Sequence, residues 1–250
     1  MLIFFLLKLI FMKRVFPKEF SDLLNRKGLQ ILAGNTDGYR DKRIAVVQNI
    51  IRTEYVDVLV KEMEQQLYPL LKNYYAPIPW DLIRKMRKNY SEKLGKSMKM
   101  KSAEMNAKNS LAYKKGVEIG LVAMLNSESY KRMGEEMLGA KFGESNGNQV
   151  ICYRHGDYVS PHNDHHPEDP NSRKGYFDIQ FMLSNKYVKY QWLVYEKNGF
   201  LNSMADISTP SGISVYRLPF WHYTTPMIAH TDKQQEARRW LLLHSFENPV

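Results

Sequence analysis

The stretch from Cys152 to Asp169, CYRHGDYVSPHNDHHPED, holds four histidines (155, 162, 165 and 166) and four acids (157, 164, 168 and 169) directly after a run that reads as a strand. On an extended segment, side chains at i and i+2 point to the same side. His162 and Asp164 therefore reach one small object together, and a divalent metal suits an imidazole beside a carboxylate. A His-x-Asp pair is common by chance, so a third ligand and a substrate anchor must be sought downstream.

Two downstream features meet that need. His222 sits in FWHYTTPM, just past the strand expected over Ile213–Leu218, and Arg238 and Arg239 open the last expected strand. Two histidines and one carboxylate bound to one face of a metal leave open positions, which suits non-haem Fe(II) and oxygen chemistry. The same set with one open position also describes zinc hydrolases. A guanidinium meets a carboxylate with two parallel hydrogen bonds, so one of the two arginines is a candidate holder of a dicarboxylate. His230 competes with His222 for the third place. Arg238 competes with Arg239, because alternation lets only one of them face the site.

The order His162, Asp164, His222, Arg239 resembles the 2-oxoglutarate/Fe(II)-dependent dioxygenase superfamily, in its prolyl-hydroxylase-like form. His162 and Asp164 match the HxD ligands, and His222 with Pro226 matches the H-x-x-x-P segment. Arg239, opening RWLLLHSF, matches the arginine of the late strand, and Tyr153 resembles a tyrosine that contacts the co-substrate. The resemblance implies a double-stranded β-helix (jelly roll, cupin-like), with Fe(II) held by His162, Asp164 and His222. It implies 2-oxoglutarate held by Arg239 and Tyr153, and O2 as oxidant. The activity implied is hydroxylation of an amino acid, a peptide or protein side chain, or a small metabolite. The carboxylate at Asp164 argues against the related halogenases, where a small residue stands there. The 17 positions from His222 to Arg239 exceed the usual spacing and imply an inserted loop at 229–236. His165 and His166 match nothing in the pattern.

The elements that must position these residues divide the chain in two. From 42 to 74 apolar residues recur every three or four positions (Ile44, Val47, Ile50, Ile51, Val58, Leu59, Met63, Leu67, Leu71), which predicts helix; another is expected over 80–90, and helices continue from 91 to 138. Leu121, Met124, Leu125, Tyr130, Met133 and Met137 read as a packing stripe. After Gly147, the segments 150–153, 176–183, 187–195, 213–218 and 239–246 are β-branched and aromatic, with turn residues between them and no crossover helices. The expectation is an α+β chain: a mainly helical part at 1–148 flanking an antiparallel β core at 149–250, built as one unit.

Composition bounds the function. One cysteine, Cys152, excludes internal disulfides and multi-thiolate zinc, and suits a reducing, cytoplasmic setting. The net charge of +10 arises within residues 1–150, densest from 84 to 115. Such a face attracts acidic or carboxylate-bearing partners, but no nucleic-acid motif accompanies it, and a solvated helix surface also accounts for it. The first twelve residues, MLIFFLLKLIFM, are too short to span a bilayer. They read as a docked helix, an upstream extension or a peripheral membrane anchor. A zinc metallohydrolase, a non-catalytic cupin-like protein and a basic interaction protein are the alternatives to the oxygenase.

Overall fold

A computed structural model describes residues 14–36, 43–77, 97–164 and 175–249. The apolar residues 1–12, the helix expected over 80–90, the basic residues from 84 to 96, His165, His166 and the turn at 170–172 lie outside the described residues.

One antiparallel sheet dominates, curling on itself into a nearly closed, barrel-like jelly roll. Its strands run β1 (Ile44–Gln48), β10 (Ser211–Leu218), β6 (Tyr176–Ser184), β13 (Arg239–Glu247), β4 (Ser145–Tyr153), β3 (Ser97–Glu104), β5 (Tyr158–His162), β11 (His222–Thr224), β8 (Trp192–Lys197) and β9 (Phe200–Asp206), while β2 (Lys72–Pro77) pairs with β3. β7 (Val188–Tyr190) and β12 (Ile228–Ala229) form a small ribbon apart.

Alternation along the central strands feeds two separate cores. From β13, Trp240, Leu242 and Phe246 face one way and Leu241 the other; Val150 and Cys152 of β4 oppose Ile151 and Tyr153; Phe177, Ile179, Phe181 and Leu183 of β6 oppose Met182. The outward set meets the helices α1 (Arg26–Leu32), α2 (Thr53–Glu62), α3 (Leu111–Glu118), α4 (Leu121–Leu125) and α5 (Glu128–Leu138). The inward set lines the barrel.

Helix α5 shows how the outer layer is fixed. Ser127 caps its N-terminus by accepting from the Tyr130 N–H, and Gly139 ends it in the left-handed region at φ 63°. Gly134 brings it onto β6 so closely that a Cβ there would lie 2.6 Å from Ile179. The Tyr130 hydroxyl donates to Leu242 O at 2.8 Å and accepts from Phe181 N–H at 3.1 Å, spanning a paired rung of β13 and β6. The predicted stripe from Leu121 to Met137 is fully buried in this layer.

Among the described residues, the first part of the chain supplies strands to the sheet as well as helices to its outer layer. Residues 44–48, read at helical spacing, form β1, and 97–104, expected as helix, form β3. Ile44, Ala45 and Val47 are all buried, so the period-two signature of a strand is erased. In β3 the alternation Met98-Lys99-Met100-Lys101 is present, and strand pairing to β4 and β5 prevails over helix propensity. Position 148 falls inside β4.

Candidate metal centre

His162 ends β5 and His222 begins β11, and the two are directly paired across the antiparallel ladder. Their rings lie 4.4 Å apart. Asp164 joins them by a different route from the one the spacing implied. The strand stops at His162, and Asp164 takes φ 54°, a left-handed conformation that Asp tolerates better than most residues. The turn, rather than strand alternation, swings its carboxylate between the rings. Asp164 Oδ1 is 3.1 Å from His162 Nε2, and Oδ2 is 3.4 Å from His222 Nε2. One ligand atom from each of the three lies within 4.8 Å of the others.

Both imidazoles are oriented in the same way. His162 Nδ1 donates to Ser160 O at 2.8 Å and His222 Nδ1 to Phe220 O at 2.9 Å. A carbonyl can only accept, so each Nδ1 carries the proton and each Nε2 presents a lone pair to the centre. Burial, together with the charge on His162, pushes His222 down to about 4, which keeps it neutral near pH 7. Burial also disfavours a charge on His162, but the charge and hydrogen bond of Asp164 outweigh it and hold that imidazole above its ordinary value.

The triad opens on a cavity of about 260 Å³ that runs along the inner face of β13, β4 and β6. Arg239 lines it and is 1% exposed. Its Nε donates to Ile207 O at 2.7 Å and Nη1 to Gln191 Oε1 at 3.2 Å, with the guanidinium 5.1 Å from the centre of the Tyr153 ring. No carboxylate forms an ion pair with it among the described residues. Tyr153 lies opposite Arg239 in register and bonds Thr224; burial pushes its phenol up to about 12, so it stays protonated. Arg238 points the other way, with its guanidinium over Tyr68. His230 is exposed on the loop before β13 and is not part of the cluster.

The sequence reading missed other groups that line the cavity, namely Asp178, Gln180, Tyr216, Thr224 and Ser245. For Asp178 and Gln180 a signal existed: two polar residues at i and i+2 in the otherwise apolar strand YFDIQFMLS. Burial pushes the Asp178 carboxyl up to about 7, against the hydrogen bond from Ser245 and with the charge of Asp164.

No family model matches the chain, and no curated protein matches it. Among solved structures, the chain is similar to an oxidoreductase of the 2OG-Fe(II) oxygenase family from Burkholderia pseudomallei, at 8% identity and TM-score 0.48, covering 88% of this chain and 89% of that one. It is similar to a prolyl hydroxylase from Trichoplax adhaerens, in complex with a peptide fragment of the hypoxia inducible factor oxygen degradation domain, at 15% identity and TM-score 0.46, covering 89% and 90%. It is also similar to a prolyl-4-hydroxylase from Pseudomonas putida, at 9% identity and TM-score 0.46, covering 89% and 99%. The similar solved structures are thus 2OG-Fe(II) oxygenases and prolyl hydroxylases, and the His-x-Asp…His pattern read in this sequence stands in the fold as one triad.

Proposed function

We infer that the chain is an oxygenase dependent on Fe(II) and 2-oxoglutarate that hydroxylates an unactivated C–H of an amino acid, a peptide or protein side chain, or a small metabolite. One observation carries the reading: the two-His, one-carboxylate triad and a buried guanidinium share a single cavity. The antiparallel jelly roll agrees with a double-stranded β-helix, and the outer core draws on residues from both 1–148 and 149–250, in keeping with one integrated unit.

The donor set fits a divalent metal. His162 Nε2, His222 Nε2 and the Asp164 carboxylate converge and would hold a divalent metal by three protein ligands, a set that suits Fe(II). Bound Fe(II) supplies the oxidising chemistry, in which O2 and 2-oxoglutarate give succinate, carbon dioxide and a hydroxylated product. Asp164 brings negative charge to the metal, and the backbone bonds of both imidazoles hold the ligand geometry without side-chain search. Arg239 pairs the distal carboxylate of 2-oxoglutarate, with Tyr153 beside it. Met100, Ile151, Leu193 and Leu241 exclude water from the walls. The zinc-hydrolase and non-catalytic readings give no task at the cavity to a buried guanidinium that has no carboxylate partner among the described residues.

The test is metal stoichiometry and succinate release from 2-oxoglutarate. The expected result is one Fe(II) per chain, lost in His162→Ala and His222→Ala, retained in His230→Ala, and succinate formed only with iron. Unchanged iron in both triad variants, or hydrolysis with zinc and no succinate with iron, overturns the reading.

A further inference from the structure

The outward residues of β6 are all apolar, but its inward face carries Asp178 and Gln180. They are 6% and 9% exposed and both line the cavity. Contacts among the described residues do not account for either. Asp178 accepts one hydrogen bond, from Ser245 Oγ to Oδ1 at 2.5 Å, and no cation pairs with it among the described residues. Gln180 accepts from Ser214 Oγ through Oε1 at 3.3 Å, and its amide donors meet no acceptor among the described residues. Both side chains belong to the lining of the cavity.

A carboxylate withdrawn from water without a cation is destabilising, and so is an amide without its bonds. Two such groups side by side, facing an accessible space, describe half of a recognition site. Oδ2 accepts and Nε2 donates, and residues two apart on a strand lie about 7 Å from one another. The complement is a molecule with a cationic nitrogen and, a few bonds away, a carbonyl or other acceptor. The seat is separate from that of a dicarboxylate. Ser245, which pairs with Asp178 across β13 and β6, lies six residues beyond Arg239, about 20 Å along the strand. One end of the cavity is cationic. The other carries Asp178, close enough to Asp164 for the two charges to interact, and repels a second acid.

We propose that Asp178 and Gln180 form the substrate seat of this cavity, and that the substrate presents an ammonium or guanidinium to Asp178 Oδ2 and an acceptor to Gln180 Nε2. The positive net charge of the chain points to acidic partners, but the Asp178 end of the cavity selects the opposite sign. Calling the ligand a substrate rests on the oxygenase reading; the cation seat itself rests on the two side chains.

The experiment is calorimetry with Nα-acetyl-L-arginine amide and Nα-acetyl-L-lysine amide against their neutral counterparts, Nα-acetyl-L-citrulline amide and Nα-acetyl-L-norleucine amide. Each is titrated into metal-loaded, oxygen-free protein with and without 2-oxoglutarate. The cationic pair is expected to bind at least tenfold more tightly than the neutral pair. Asp178→Asn, which keeps an acceptor for Ser245, removes that preference, and Gln180→Leu weakens all four amides. Equal binding of charged and neutral amides, or no binding of any, overturns the proposal in the parent protein alone, whatever the folding of the variants. A preference that persists in a folded Asp178→Asn protein overturns it too. Binding of 2-oxoglutarate, measured in the same series, separates the two readings. Cation selectivity without it keeps this seat and removes the oxygenase; the reverse removes only the seat.

Discussion

Replacing Arg239 by alanine separates co-substrate recognition from metal binding. Two of the five guanidinium N–H groups already donate, to Ile207 O and Gln191 Oε1, so three remain for a carboxylate. Hydrogen bonds between charged groups contribute about 1.5–3 kcal/mol each, and two of them in parallel are expected from the fork. The bonds to Ile207 and Gln191 exist with and without co-substrate and cancel, so the two bonds to the carboxylate, taken at the low end of that range, give a loss of about 3 kcal/mol, or roughly a hundredfold in the apparent constant for 2-oxoglutarate. Iron affinity is expected to change little. Arg239→Lys recovers part of the loss, since one ammonium cannot reproduce the fork. Arg238→Ala, whose guanidinium sits over Tyr68 outside the cavity, is the control and leaves the constant near that of the parent. Because Arg239 is buried without an ion-pair partner among the described residues, Arg239→Met is further expected to keep or raise the melting temperature while abolishing co-substrate binding. The assay is succinate release as a function of 2-oxoglutarate, with direct binding by calorimetry. An unchanged constant in Arg239→Ala would refute the assignment, and a large effect in Arg238→Ala would show that the wrong arginine had been chosen.

Asp164→Gly is expected to abolish turnover and spare the fold, because φ 54° suits glycine better than aspartate; substrate oxidation at the parent rate would remove Asp164 from the ligand set. Asp178→Asn changes the pH dependence of stability. The folded carboxyl titrates at about 7 against an ordinary 3.8, so the stability present below about pH 4 is lost as pH rises through 7, by up to roughly 4 kcal/mol. The variant lacks that loss and gains on the parent between pH 4 and 8 in urea unfolding; parallel curves for the two proteins would contradict it. Gly134→Ala forces Ile179 and Phe142 to shift from contacts of 2.6 and 2.7 Å, and is expected to cost about 1–2 kcal/mol in the same assay despite its better helix propensity.

The site was legible in the sequence where function needs particular side chains in a fixed order. His162, Asp164, His222 and Arg239 line one cavity; alternation allowed only one of Arg238 and Arg239 to face it, the resemblance pointed to Arg239, and that is the one the strand turns inward. The reason given for the His162–Asp164 pair was less sound, because the left-handed turn at Asp164 has no marker such as glycine. Gln191 was invisible: nothing in its neighbourhood announces that it is fully buried and holds a guanidinium. In the fold, the strands of the first part were hidden for two different reasons. β1 is buried on both faces and lost its alternation, while β3 kept its Met-Lys alternation inside a stretch rich in helix formers. Short strands such as β11, three residues long, are set by their neighbours and carry no pattern of their own.

The two triad imidazoles are held by carbonyls two residues upstream, Ser160 O within β5 and Phe220 O in the segment that leads into β11. In many metal sites a carboxylate side chain does this, and mutation can delete it. Here the orienting acceptor belongs to the main chain, so no point substitution at 160 or 220 removes it; even glycine keeps it. The tautomer of both rings is thereby insulated from sequence drift. A substitution in the cavity lining, by contrast, alters what is recognised without disturbing how the rings are presented.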